Sequence, residues 1–236
     1  YKRDLHDPFL MRDMEKACVR LYEAIENKEK IIIYADYDCD GIPGAVILND
    51  LFILLKYKNY EVYIPKRNSE GYGLNLDAIK QFAESGIKLL ITIDLGITAV
   101  AEVAQAETDG IDVIITDHHL PRQSSSGGGF AFDLPRAYAI LNPKIDAYPE
   151  KMLCGAGVMF KFAQAFLKKY GEFYKIKEGA EKWMLDMAGL ATLSDMVPLR
   201  GENRAIAYFG MKVLKKSSRP GLQKLLAKMN INQRYL

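Results

Sequence analysis

Residues 31–45 read IIIYADYDCDGIPGA, three aspartates two positions apart followed by a glycine. The β-branched run before them predicts a buried strand, and the apolar GAVILNDLFILLK after them predicts a helix. Asp36, Asp38 and Asp40 match the opening of an EF-hand calcium loop. That reading fails on two counts. The loop needs a glutamate at its twelfth position, which here is Ile47, and it needs a helix in front rather than a strand. What remains is an acidic turn at the carboxyl end of a strand, either a polar connection or a metal site.

The same pattern continues outward. A helix is expected over about 9–27, from Met11, Met14, Cys18, Leu21 and Ile25 at three- and four-residue spacing. YEVYIP is a strand stopped by Pro65. NLDAIKQFAES is a helix capped by Asn75 and ended by Gly86. KLLITI is a strand, TAVAEVAQAE a helix with Thr98 as its cap, DVIIT a strand, and AYAIL a further short strand. The strands are continuously apolar and alternate with helices. The expected fold class is therefore α/β, a mainly parallel sheet covered by helices on both faces. RQSSSGGG, residues 122–129, has the composition of a flexible loop. Beyond about residue 150 the pattern is helical, over about 157–170, 179–193, 203–215 and 222–229. The whole of 1–236 is expected to form one domain, with a sheet core over about 28–142 and a helical part over about 150–236.

Placing the polar residues on this frame brings three clusters to one edge. Asp36, Asp38 and Asp40 follow the first strand, Asp94 ends the third, and Asp117, His118 and His119 end the fourth. Open α/β sheets bind ligands at the carboxyl ends of their strands. Two of the chain's three histidines stand side by side there. Carboxylates crowded together need positive charge between them, and oxygen donors with an imidazole or two suit Mn²⁺ or Mg²⁺. Two such cations about 4 Å apart are the arrangement that splits phosphate esters.

Bulk properties narrow the classes. Half the residues are apolar and the net charge is only +2, which excludes a disordered chain. No apolar run approaches the ~18 residues of a membrane span, and no signal peptide opens the chain. Three scattered cysteines without CxxC spacing argue against disulfides and structural zinc, and make a reducing cytoplasm the simplest compartment. Tyr1 in place of Met suggests that more sequence precedes it. No acid follows Glu202, whereas eight basic residues do, leaving the first 203 residues at net −6. A basic end on an acidic body suggests a polyanion partner, or else a solvated helix face.

With DYDCDG, TIDLGI and TDHH in order, the chain resembles the DHH phosphoesterase superfamily, and within it the RecJ single-strand exonucleases. DPFLMRDMEKA, EGYGLN, LNPK, CGAGVMFK, ATLSDMVPLRGENR and RPGLQKLL carry the resemblance along nearly the whole chain. Pro43 and Leu95 depart from the usual family pattern but remove no ligand. The resemblance implies a centre of two divalent cations, Mn²⁺ foremost and Mg²⁺ second. Its ligands would be Asp36, Asp38, Asp40, Asp94 as the bridge, His118, and Asp195 from LSDMVP. It implies His119 near the scissile phosphate and Asp117 supporting a metal-binding imidazole; adjacent residues of an extended segment point to opposite sides, which gives His118 and His119 separate roles. It also implies hydrolysis of single-stranded DNA from its 5′ end in repair and recombination, with a second lobe absent from this chain. Partners would be single-stranded nucleic acid and proteins of the single-strand-binding or helicase kind. YIPKRNSEGYG is the expected substrate loop, with Arg67 for a 5′-phosphate and Tyr72 for base stacking. Arg204 is a third candidate, unless it pairs with Glu202 or Asp195. The alternatives are a phosphodiesterase for oligoribonucleotides or cyclic dinucleotides, and a non-catalytic replication scaffold.

Overall fold

The computed structural model describes residues 2–123 and 132–235; the predicted loop at 122–129 lies, from 124 on, outside them. In chain order the elements are α1 (Met14–Glu26), β1 (Lys30–Ala35), α2 (Gly41–Leu54), β2 (Tyr60–Tyr63), α3 (Leu76–Glu84), β3 (Ile87–Ile93), α4 (Val100–Thr108), β4 (Asp112–Thr116), β5 (Arg122–Gln123), β6 (Phe132–Asp133), β7 (Ala139–Leu141), α5 (Gly155–Tyr170), α6 (Leu185–Ser194), α7 (Gly201–Leu214) and α8 (Pro220–Lys228). Five strands form one parallel sheet in the order β2-β1-β3-β4-β7, and β5 with β6 makes a small antiparallel pair.

The continuously apolar strands bury both faces. Ile31, Ile33, Leu89, Ile91 and Ile114 join the core under α1, α2, α5 and α6. Ile32, Tyr34, Leu90 and Ile115 point the other way, into the core under α3 and α4. That is the period-two alternation of a strand with apolar residues at every position. Strand order reverses at β1, because β2 lies on one side of it and β3 on the other. The loops leaving β1 and β3 therefore diverge at adjacent strand ends, where such sheets open a crevice. Among the described residues no helix is long and apolar enough to cross a membrane.

Element limits differ from the sequence pattern where local chemistry intervenes. The first helix starts at Met14, not residue 9. Pro8 begins a separate 3-10 turn, and Asp13 adopts a left-handed φ of 58° that interrupts the pattern. Asp13 is held there by its carboxylate, which accepts the Ile140 N–H at 3.2 Å. Thr98 does not cap α4; Ala99 occupies the cap position, and the Ala99 N–H donates to Gly96. The helix expected over 179–193 is a 3-10 turn, Ala180–Met184, that runs into α6. Asn75 does cap α3, accepting the Ala78 N–H at 2.7 Å, and Gly86 ends it at φ 77°.

Antiparallel α6 and α7 approach backbone to backbone through two glycines. A Cβ on Gly210 would stand 2.6 Å from the Gly189 Cα, and one on Gly189 would stand 2.7 Å from the Gly210 Cα. This close seam fixes where Asp195, at the end of α6, meets the sheet. Gly210→Ala is expected to lower unfolding free energy by about 1–3 kcal/mol through overpacking. A urea titration checks this: the midpoint should fall with the slope unchanged.

Candidate metal centre

The acidic turn after β1 is built by its own side chains. The Asp38 carboxylate accepts the N–H groups of Asp40 and Gly41, at 3.2 and 3.0 Å, and so starts α2. Position 41 has to be glycine, since a Cβ there would lie 2.5 Å from the Asp36 carbonyl oxygen. Asp36 and Asp40 are buried, and the Asp36 Oδ1 has no hydrogen-bond partner.

Asp94 is the buried centre of the arrangement, 1% exposed. Its backbone is left-handed, φ 63°, held by its N–H donating to the Thr116 carbonyl at 2.9 Å. The first residue of α5 closes over it. A Cβ on Gly155 would lie 2.5 Å from the Asp94 Cβ, and the Gly155 N–H donates to Asp40 Oδ2 at 2.7 Å. The positive end of α5 therefore faces this carboxylate pair. Sequence reading passed over Gly155 in CGAG; a small residue opening an apolar helix was the available signal.

His118 Nε2 lies 3.1 Å from Asp94 Oδ1 and 3.6 Å from Asp40 Oδ2, and its Nδ1 lies 3.9 Å from Asp195 Oδ2. Asp195, the C-cap of α6, thus reaches the sheet edge from the helical part. Three sets of donor atoms each gather within 4.8 Å: Asp36, Asp38 and Asp94; Asp40, His118 and Asp195; and Asp94, His118 and His119.

Asp117 holds one of the two imidazoles. Its Oδ1 accepts from the His119 ring Nδ1 at 2.8 Å and from the N–H groups of His118 and His119 at 2.7 and 3.1 Å. Its other oxygen accepts the Ile97 N–H at 2.9 Å. It supports the His119 ring and meets His118 only at the backbone. This turn also bends the chain, so the two rings do not point to opposite sides; their centroids are 4.6 Å apart.

The Tyr72 hydroxyl stands 3.5 Å from His119 Nδ1 and 3.4 Å from the Asp94 carbonyl, and the residue as a whole is 55% exposed. Arg67 lies at the rim, its guanidinium 5.3 Å from the Tyr37 ring centroid. Arg204 has none of these contacts. It is exposed on α7, and Glu202, two residues earlier, faces the opposite side of the helix. Glu202 is buried against Lys161 and the Tyr148 hydroxyl, at 2.8 and 2.7 Å, so it does not pair with Arg204.

Crowding sets the electrostatics. Burial pushes the Asp94 carboxyl up, and the charges of Asp38, Asp117 and Asp36 add to it. Burial pushes Asp40 up as well, with the charge of Asp94 next. Burial also raises Asp36. For Asp38 burial acts upward, but the N–H groups of Gly41 and Asp40 hold it below the usual range. His118 is lowered, first by burial and then by the charge of His119, which keeps a ring lone pair free for a ligand. His119 is raised, chiefly by its bond to Asp117. The orphaned oxygen Asp36 Oδ1, an Asp94 Oδ1 faced only by the His118 ring, and three compact donor sets of oxygen and imidazole fit divalent cations.

Asp40 and Asp94 ionise less readily in the folded chain than in the unfolded one. Their contribution is therefore unfavourable above the unfolded carboxylate range and grows as pH rises through the raised folded values, to about 9. The metal-free chain should lose thermal stability between pH 5 and 9, and Mn²⁺ should restore it. Asp94→Asn should raise the metal-free melting temperature at pH 8 by roughly 2–4 °C, about 1 kcal/mol of stability, while abolishing the Mn²⁺ increment. Thermal scans with and without Mn²⁺ test both.

Comparison with known proteins agrees with this geometry. The model of the DHH family, N-terminal domain, matches residues 30–193. The single-stranded-DNA-specific exonuclease RecJ of Bacillus subtilis is 41% identical over 226 residues, which cover 94% of this chain and 26% of that protein. The Escherichia coli protein of the same description is 35% identical over 227 residues, 92% of this chain and 37% of its own length. A crystal structure of exonuclease RecJ bound to manganese superposes with a TM-score of 0.81 at 28% identity, covering 94% of this chain and 53% of that one. This chain thus spans between a quarter and two fifths of those curated relatives. Because the family model covers well over half of its residues, the chain belongs to the DHH family.

Proposed function

We propose that this chain is the metal-holding catalytic lobe of a RecJ-type exonuclease, which hydrolyses single-stranded DNA from the 5′ end. The observation that carries the reading is the meeting of two donor triads, Asp36–Asp38–Asp94 and Asp40–His118–Asp195, beside the Asp117-supported ring of His119. Two cations bound there, Mn²⁺ or Mg²⁺, would supply the Lewis acidity and water activation of phosphodiester cleavage.

The chain's own groups do the rest. Asp94, buried between the triads, is suited to bridge them, and the α5 N-terminus keeps Asp40 oriented. His119, held by Asp117, presents a protonated ring to a phosphate oxygen or to the leaving 3′-oxygen. Tyr72 flanks it as a stacking surface, and Arg67 at the rim suits a 5′-phosphate. Residues 1–236 are read as one catalytic unit that a second lobe completes. Free cysteines at 18, 39 and 154 favour a reducing cytoplasm as the setting. Single-strand-binding or helicase proteins are the proposed protein partners.

The test is nuclease activity of the full-length protein with Mn²⁺, on 5′- and 3′-labelled DNA and RNA side by side. Mononucleotides should leave 5′-phosphorylated single-stranded DNA first. Asp94→Ala or His118→Ala should lower the rate at least about 10²-fold; wild-type rates in both variants, or equal cleavage of RNA, would contradict the reading. Asp117→Asn removes the charge that raises the His119 pKa. The alkaline limb of the kcat–pH profile should then move to lower pH, and a limb that stays in place would remove His119 as the proton donor.

A further inference from the structure

The basic end of the chain is not absorbed by the metal centre. Arg219 is used internally: its guanidinium holds Asp186 at 2.8 Å and Asp50 at 2.5 Å, tying the start of α8 to α6 and α2. The others are different. Among the described residues, Arg204, Lys212, Lys215 and Lys216 have no carboxylate partner, and all four are exposed.

Three of them share one face of α7. At 100° per residue, Arg204, Tyr208, Lys212 and Lys215 fall within an arc of about 80°, and they span about 16 Å of helix. Glu202, Ala205, Ile206, Gly210 and Leu214 lie outside that arc and are buried. Tyr208 is 57% exposed in the middle of the row, and the Lys212 ammonium sits 4.1 Å from its ring centroid. No acidic residue occurs anywhere after Glu202. The row begins nine residues after Asp195. Asp195 ends α6, five residues link it to Gly201, and α7 then runs back antiparallel along the Gly189–Gly210 seam.

We infer that this face of α7 is a track for the single-stranded nucleic-acid backbone on the side of the metal centre where Asp195 stands. Cations on either side of an exposed ring, with Arg204 and Lys212 eight residues or about 12 Å apart and Lys215 beyond, suit separate phosphates of one strand, and the ring between them offers a stacking face. The aromatic in mid-row favours a single strand over a duplex, whose bases are already stacked, and over an acidic peptide, which needs only the charges. The inference deepens the exonuclease reading and rests on it.

The experiment measures binding of the full-length protein to labelled dT6 and dT20 by anisotropy, in EDTA to prevent hydrolysis, from 50 to 300 mM NaCl. Alanine is a strong helix former, so the exposed substitutions leave α7 intact; unchanged Mn²⁺ affinity serves as the control for folding. The combined Arg204→Ala, Lys212→Ala, Lys215→Ala variant should lower the salt slope for dT20 by about 2. Tyr208→Ala should weaken dT20 at least about fivefold with the slope unchanged. The loss should be smaller for dT6. Unaltered dT20 affinity and slope in all variants overturns the track. So does a variant that loses poly-glutamate binding yet keeps dT20, because the face would then serve an acidic protein. Failure of the exonuclease reading looks different: the unsubstituted protein would cleave no single strand with Mn²⁺, whatever α7 carries.

Discussion

The structure depends on one constraint, the burial of like charges at adjacent strand ends. Asp36, Asp40 and Asp94 are almost wholly withdrawn from water; one Asp36 carboxylate oxygen has no hydrogen-bond partner among the described residues, and one of Asp94 has only the His118 ring at 3.1 Å. Such an arrangement is unfavourable by itself, because burial and mutual repulsion both oppose ionisation. It persists because the surrounding backbone over-determines it: a left-handed Asp94 tied to Thr116, a glycine at 41, and Gly155 pressed against the Asp94 side chain. Sites that store cost in this way are poised for a ligand that relieves it.

The parallel sheet makes the convergence possible. β1, β3 and β4 are neighbours, so ligands from positions 36–40, 94 and 118 meet although up to 82 residues separate them. The helical part then delivers Asp195 from the far side. The glycine seam between α6 and α7 sets that approach, and the Arg219 clamp to Asp50 and Asp186 fastens α8 to α2 and α6, the two helices whose ends carry ligands.

Much of this was legible in the sequence because it follows from local periodicity. Continuous apolar runs between helices identify a parallel sheet, and the carboxyl ends of its strands identify the edge where Asp36, Asp94 and His118 gather. Asp195 was not accessible in that way. It lies at the end of a helix, and only the family resemblance pointed to it. The expectation that the His118 and His119 rings point to opposite sides failed because strand alternation was extended past the end of β4, where Asp117 itself bends the chain. Helix starts were missed where a tertiary bond overrides pattern, as at Asp13, whose carboxylate accepts from Ile140. Gly155 was passed over because close approach of two backbones leaves no periodic trace.

The most direct measurement is the number of protons released when Mn²⁺ binds, from calorimetric titrations at pH 7 in two buffers of different ionisation enthalpy. If the buried carboxylates are held protonated until cations arrive, binding should release about two protons per chain as the centre fills. Binding of Mn²⁺ with no proton release would mean that Asp40 and Asp94 are already ionised without metal, and would contradict the account of the site as charge held in check by burial.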